Sequence, residues 1–350
     1  MNNDLSLLGE FGIIDLFRSH ARRANPWVTV GIGDDCAVMD MDGQRSLLVT
    51  TDMLLEDVHF RRSWARPRQL GWKSAAVNIS DIAAMGGTPS GAFLGIGIPT
   101  DMKMDDLTGF RRGLDDCLRR YGVDLLGGDT VASTNGLAVS ITLIGTAPSQ
   151  DVVRRSGAMP GQRVFVAGTL GASAAGLFLL EGNECPGGLD ADSRQELIRA
   201  HLEPRPLVDL GRTLAERHLA TAMIDLSDGL LSDLGHLCDE SRVGAVIKAT
   251  ALPICEPTRI LADSLGLDPL EWAISGGEDY GLVFCTAPED EAPVTAVGRD
   301  LDIPISAIGW TTGEESVIRL SVNHSMSAVS RKGWDHFAKT GRGEPDEPVP

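Results

Sequence analysis

The residues of this chain best suited to chemistry are carboxylates set beside glycines, hydroxyls and an imidazole. In chain order they are Gly33-Asp34-Asp35, Thr50-Thr51-Asp52 with Asp57 and His59 close behind, Asn78-x-x-Asp81, Gly128-Asp129, Asp225-x-x-Asp228 and Gly276-Gly277-Glu278-Asp279. Each alone has an ordinary explanation, because Asp beside Gly is common turn chemistry. As a set they recur where apolar runs end or along one helix face. Carboxylates gathered at one place repel each other unless cations neutralise them. Mg²⁺ is the cation such oxygen donors suit, held by a few carboxylates together with substrate phosphates. The pattern predicts a centre holding several Mg²⁺ ions and a phosphorylated ligand.

Charge and composition narrow what that ligand can be. The chain has 350 residues, 43% hydrophobic and 23% charged, a length that suits about two domains. Its 31 Lys and Arg stand against 49 Asp and Glu, a net charge of −18, and no basic run tracks a phosphate backbone. Nucleic acid and anionic membranes are therefore excluded as partners. No apolar run reaches the length of a membrane span, and the first residues carry no basic-then-apolar leader. Six scattered cysteines form no Cys-x-x-Cys pair and no His-Glu-x-x-His occurs, so reduced thiols in a cytoplasmic protein are expected and zinc is not. Gly-x-x-x-x-Gly-Lys-Ser/Thr, the dinucleotide fingerprint and protein-kinase signatures are all missing. A nucleotide here must be held through carboxylate-bound metals.

The elements that position these groups follow from hydrophobic periodicity. Residues 5–23 read as an amphipathic helix ended by Asn25-Pro26. Strands are expected at 28–32 and 46–51, the second following an Asp42-Gly43 turn. Helix 68–85 would place Asn78, Asp81 and Met85 on one face. Strand 92–98, helix 104–121, a short strand 123–126 and strand 137–144 complete the first half. A Pro-, Gly- and Ser-rich stretch at 147–161 marks the domain boundary, giving domains 1–150 and 151–338 with a disordered tail at 339–350. The second half begins with strand 163–167, helix 172–181 and helices near 193–201 and 206–218. Strand 221–226 leads to Ser227, expected to cap helix 229–241. Strand 243–248, helix 256–265 and strand 282–285 follow. Mixed strands and helices predict an α/β (α+β) protein, not a doubly wound sheet.

Several of these motifs together resemble the thiamine-monophosphate kinase family. They are Gly33-Asp34-Asp35-Cys36-Ala37, Thr50-Thr51-Asp52-x₄-Asp57-Val58-His59-Phe60 and Asn78-Ile79-Ser80-Asp81-Ile82-Ala83-Ala84-Met85-Gly86-Gly87. Gly127-Gly128-Asp129-Thr130, Arg155-Ser156-Gly157-Ala158, Asp225-Leu226-Ser227-Asp228-Gly229-Leu230 and Gly276-Gly277-Glu278-Asp279-Tyr280 extend the match across residues 9–336. The wider superfamily includes aminoimidazole ribonucleotide synthetase, selenophosphate synthetase and a hydrogenase maturation factor.

The resemblance implies a two-domain aminoimidazole ribonucleotide synthetase-like fold and a homodimer whose N-terminal sheets pair as a barrel. It implies ATP-dependent phosphorylation of thiamine monophosphate to thiamine diphosphate. Asp34, Thr50, Thr51, Asp52, Asp81, Asp129, Asp225 and Asp228 would be Mg²⁺ ligands. Gly128, Asp129, Arg155 and Ser227 would contact ATP. His59 and Glu278 would contact thiamine monophosphate, and Trp334 would pack on its rings. Asp57 departs from the family's usual Gly and Gly281 from its common Glu. The acceptor is a phosphate oxygen already anionic at neutral pH, so direct in-line transfer needs no dedicated base or protein nucleophile. The alternatives are another ATP-dependent member of the superfamily and a non-catalytic nucleotide-binding regulator.

Overall fold

The computed structural model describes residues 9–21, 25–183, 187–323 and 325–330. The first half runs α1 (Gly9–His20), β1 (Val28–Val30), β2 (Ala37–Asp40), β3 (Arg45–Leu55), α2 (Pro67–Ala84), β4 (Thr88–Pro99), α3 (Met104–Arg120), β5 (Asp124–Ser133) and β6 (Ala138–Pro148). Its strands form one six-stranded sheet in the order β1-β2-β3-β6-β4-β5. Only β4 and β5 pair parallel, so the sheet is mixed.

The expected Asp42-Gly43 turn joins β2 to β3, with Ala37 opposite Val49. Asp40 accepts from the Gly43 N–H, and Asp42 from those of Gln44 and Arg45, which fixes the register. One face of the sheet lies on α2, and α3 packs on α2 in turn. The other face is open. It carries Thr51 and Met53 of β3 and Phe93 of β4, with Asp129 and Val131 of β5 in register beside them.

The second half runs β7 (Arg163–Ala167), α4 (Ala172–Leu180), α5 (Ala191–Leu202), α6 (Val208–Glu216), β8 (Ala222–Asp225), α7 (Leu230–Ser241), β9 (Gly244–Lys248), α8 (Glu256–Leu265), α9 (Pro269–Ser275), β10 (Leu282–Thr286), α10 (Glu291–Asp300), β11 (Ile305–Thr312), β12 (Ile318–Val322) and β13 (Ser325–Ala328). A seven-stranded mixed sheet is ordered β13-β12-β9-β11-β7-β10-β8.

Helix α2 belongs to the first half by sequence and to both by packing. It touches β3 and β6 on one side and α6, β8 and α5 on the other. That explains its near-uniform burial and its run of small residues, since a helix covered all round has no polar face to present.

The structure departs from the sequence expectations in three places. Strand β3 continues past its expected end at residue 51 to Leu55, so Asp52 sits within the strand and not beyond its end. Strand β5 likewise passes through Gly127-Gly128-Asp129. Gly128 adopts φ 153°, and a Cβ there would lie 1.8 Å from the Leu94 carbonyl oxygen, so the glycines serve a close strand approach, not a turn. Ser227 is not the cap of α7. Gly229 holds that position, and the Asp233 carboxylate accepts the N–H groups of Asp228 and Gly229. Helix α9, before β10, and α10 and β11–β13, beyond residue 285, had no sequence expectation.

Candidate active site

Alternation along β3 divides its polar residues between two faces. Thr50 and Asp52 face α2, where the three residues expected to share a face each take a partner. Asp81 accepts from the Thr50 hydroxyl at 2.5 Å, Asn78 Oδ1 accepts the Asp52 N–H at 3.0 Å, and Met85 Sδ accepts the Cys36 N–H at 3.1 Å. One helix thus ties down three points of the N-terminal sheet around an acidic centre.

At that centre Asp35, Asp81 and Asp225 each offer a carboxylate oxygen, and these oxygens lie within 4.8 Å of one another. They come from the loop before β2, from α2 and from the end of β8. Asp35 Oδ2 and Asp225 Oδ2 are fully buried and have no hydrogen-bond partner. Buried carboxylate oxygens this close, with two unsatisfied, fit a hard divalent cation such as Mg²⁺.

Burial, and then mutual repulsion, pushes the carboxyls up. Burial and then Asp35 raise Asp225 to about 8 and Asp52 to about 6, while Asp81 rises well above the usual range through burial and then Asp52. Asp34 rises to about 7 through burial and Asp35, and Asp228 to about 7 through burial and then Glu10. Asp233 also rises well above the usual range, through burial first and Asp228 next.

Arg155 is the cation among them. Its guanidinium donates to Asp35 Oδ1 at 2.6 Å from NH2 and 3.3 Å from Nε, and its backbone N–H donates to Asp34. The linker between the two sheets is thereby fastened to the Gly33-Asp34-Asp35 turn.

A second polar cluster lies along α2 toward its N-terminus. Lys73, 1% exposed, places Nζ 2.8 Å from Glu278 Oε1 and 3.4 Å from His201 Nε2. His201 Nδ1 lies 3.2 Å from Glu278 Oε2 and 3.0 Å from Ser173 Oγ. Burial, then Lys73, lowers His201 to about 4, so its ring is neutral at neutral pH. Burial works to raise Glu278, but Lys73 and then His201 hold it below the usual carboxyl range.

Glu278 and Tyr280 have φ of 63° and 48°, left-handed values that cost energy for residues other than glycine. The loop keeps them through main-chain bonds from Glu278 N–H to Ser227 O and from Tyr280 N–H to Leu226 O. Asp279 anchors the same loop by accepting the Gly171 and Ser173 N–H groups at the start of α4. His59 accepts the Leu55 N–H at Nδ1 and lies in the neighbourhood of Glu278, the other expected acceptor contact.

Asp34, Thr50, Asp52, Asp81, Asp225 and Asp228 are brought together around this centre. Thr51 and Asp129 are not. Thr51 bonds Thr142 on the open face of the sheet, where register also puts Asp129. Gly128 lies beside it on the exposed β5 edge. Ser227 contributes its carbonyl to the Glu278 loop, and Arg155 is engaged by Asp35. Trp334 and the tail 339–350 lie outside the described residues.

Asp57 has φ 65° and a largely exposed side chain, so the departure from Gly there concerns backbone conformation. A Cβ on Gly281 would fall 2.4 Å from the Ala167 carbonyl oxygen, which excludes Glu on this backbone. Sequence reasoning assigned a ligand role to Asp34 and none to Asp35 beside it in the same motif, and it missed Asp233, Lys73 and His201 altogether. A lysine inside an otherwise apolar and small-residue helical run was the available signal for Lys73.

Family models for the N-terminal and C-terminal domains of AIR synthase related proteins match residues 33–147 and 159–320. The chain is 36% identical to the thiamine-monophosphate kinase of Escherichia coli K12, over 94% of this chain and 98% of that protein. It is 35% identical to that of Bacillus subtilis, over 89% and 94%. Among solved structures it resembles one described as AaThiL complexed with AMPPCP and TMP, with TM-score 0.83, 33% identity and coverage of 96% and 100%. A thiamine-monophosphate kinase structure from Stenotrophomonas maltophilia matches with TM-score 0.73, 32% identity and coverage of 90% and 98%.

Proposed function

Because the chain belongs to the AIR synthase related family and within it to the thiamine-monophosphate kinases, we propose that it transfers the γ-phosphoryl group of ATP to the phosphate of thiamine monophosphate, giving thiamine diphosphate. The observation that carries this reading is the convergence of Asp35, Asp81 and Asp225, with unsatisfied buried oxygens, beside the Glu278 loop.

Asp35, Asp81 and Asp225 would hold Mg²⁺, with Asp34, Thr50, Asp52 and Asp228 around them. Bound there, Mg²⁺ ions supply the positive charge that lets two phosphate groups approach each other. Arg155, Ser227 and Gly128 are the residues assigned to ATP. His59, Glu278 and Trp334 are assigned to the acceptor. Thr51 and Asp129 are assigned to Mg²⁺ as well, from the neighbouring strands β3 and β5, and Asp129 also to ATP. Transfer is in line and direct, since the acceptor oxygen is anionic without help and every central Asp serves better as a ligand than as a nucleophile.

An N-terminal domain of residues 1–150 and a C-terminal domain of residues 151–338 would share the site, with α2 between them. A second copy would cover the open sheet face, where Met53, Phe93 and Val131 are 56%, 40% and 55% exposed, giving a homodimer. No described helix is long and apolar enough to cross a membrane. A cytoplasmic location is part of the proposal. ADP release from Mg²⁺-ATP, measured with and without thiamine monophosphate, tests it. Strong stimulation by that substrate is expected, and none in folded protein overturns the reading.

A further inference from the structure

The Lys73 cluster is costly unless it has a task. An ammonium ion, a carboxylate and an imidazole are withdrawn from water where apolar side chains would cost nothing, and a buried ion pair by itself is weak evidence of stabilisation. Its geometry is closed. Lys73 Nζ lies 2.8 Å from Glu278 Oε1 and 3.4 Å from His201 Nε2, while His201 Nδ1 lies between Glu278 Oε2 at 3.2 Å and its hydrogen-bond partner Ser173 Oγ at 3.0 Å. Only one tautomer satisfies these contacts: His201 donates from Nδ1 and accepts at Nε2. The three side chains come from α2, from α5 and from the strained loop before β10. Of the three, only Glu278 reaches solvent, with a quarter of its side chain exposed against 2% for Lys73 and 3% for His201.

We propose that Lys73 and His201 are positioning residues for the acceptor, locking the Glu278 carboxylate so that its exposed edge accepts a hydrogen bond from the pyrimidine amino group of thiamine monophosphate. The inference rests on the function proposed above and names what selects the acceptor. A carboxylate neutralised from behind presents fixed acceptor lone pairs without adding net negative charge to a site that must admit two phosphorylated molecules. The same helix carries Asp81 eight residues further on, about 12 Å along its axis, so α2 sets the spacing between the metal cluster and the carboxylate.

Three readouts test this on the full chain: calorimetric binding of thiamine monophosphate, separate KM values for both substrates, and the preference over the analogue whose amino group is replaced by oxygen. Lys73→Met is expected to raise KM for thiamine monophosphate by about tenfold or more, as loss of a charge-assisted hydrogen bond does. KM for ATP should stay within about twofold, and discrimination against the oxygen analogue should fall by a similar tenfold factor.

Should Lys73→Met fail to fold, the pair Lys73→Met/Glu278→Gln, which removes both buried charges together, decides the matter. It should show no larger KM than Glu278→Gln alone. A lowered Tm with unchanged KM and unchanged discrimination overturns the proposal by making the cluster purely structural, as does a parallel rise in both KM values. Wild-type protein that binds no thiamine monophosphate overturns the proposed function, and the role of Lys73 with it. Binding by wild type with no effect of the variants removes the role of Lys73 alone.

Discussion

Two buried polar clusters flank α2, and they are built on opposite electrostatic plans. Around Asp35, Asp81 and Asp225, carboxylates crowd together with Arg155 as the cation among them, and two oxygens have no partner. Around Glu278, one carboxylate is matched by Lys73 and a neutral imidazole, one beside each oxygen. The titration behaviour follows: burial and repulsion drive the first set up, while Lys73 keeps Glu278 low against its own burial. The cluster proposed to take up cations is left short of positive charge. The cluster proposed to present one fixed acceptor is balanced from within.

The sharpest way to break this contrast is to remove a charge from the unbalanced side. Asp225→Asn should lower kcat/KM by more than about 100-fold, because even outer partners of a metal centre cost 10–100-fold when lost. The metal-free protein should nonetheless melt higher, since one repelling carboxylate is gone. Steady-state kinetics with thermal melting in chelator checks both. Retained activity would place the metal elsewhere, and a lower metal-free Tm would contradict the repulsion.

Arg155→Met attacks the one local balance in that cluster. It leaves Asp35 buried without its partner, and such truncations cost about 3 kcal/mol or more. Denaturant unfolding without metal should show that loss, and Mg²⁺ should recover much of it by replacing the missing charge. An equal loss at saturating Mg²⁺ would mean that the metal does not reach Asp35.

The pH dependence of stability follows next. A carboxyl whose value is raised on folding contributes stability that is fully present below its unfolded value of 3.8 and is lost as pH rises through the folded value. The folded values are about 6 for Asp52, about 7 for Asp34 and Asp228 and about 8 for Asp225. Metal-free protein should therefore lose stability between about pH 5 and pH 8, by about 5 °C in Tm. Added Mg²⁺ should stabilise more at the upper end, where the ligands are ionised. A metal-free Tm that rises over this range would reject the unbalanced cluster.

Much of the carboxylate cluster was legible from sequence because its residues lie in short motifs whose spacing has physical meaning. Asn78, Asp81 and Met85 follow helical spacing and do share contacts with the N-terminal sheet. Asp34 and Asp35 could not be told apart, since adjacent residues differ in which way they point and only the fold decides that. The same holds for Thr50 and Thr51, where the strand was expected to end and instead continued, sending Thr51 to the open face. Glycines misled at β5, where Gly127-Gly128 reads as a turn but serves a close approach to β4. Lys73, Ser173, His201 and Glu278 are far apart along the chain, so no local pattern announces them. That balanced cluster exists only in three dimensions.

The smallest expected effect concerns the segment that joins the two clusters. Strand β3 carries Asp52 into the carboxylate cluster, and the turn after it delivers His59 toward Glu278, with Asp57 between. Asp57 sits at φ 65°, held by its N–H bond to Phe60 O, and its side chain points to solvent within 3.8 Å of Arg61. An exposed ion pair of that length contributes little, whereas a left-handed residue with a Cβ is strained. Relief of that strain on Asp57→Gly outweighs the lost pair and the added freedom of the unfolded chain, so the variant should be unchanged or up to about 1 kcal/mol more stable. Both KM values should be unaltered. Denaturant unfolding and kinetics on the one variant check this. A raised KM for thiamine monophosphate would show that the Asp57 carboxylate, and not merely its backbone, helps set the acceptor side.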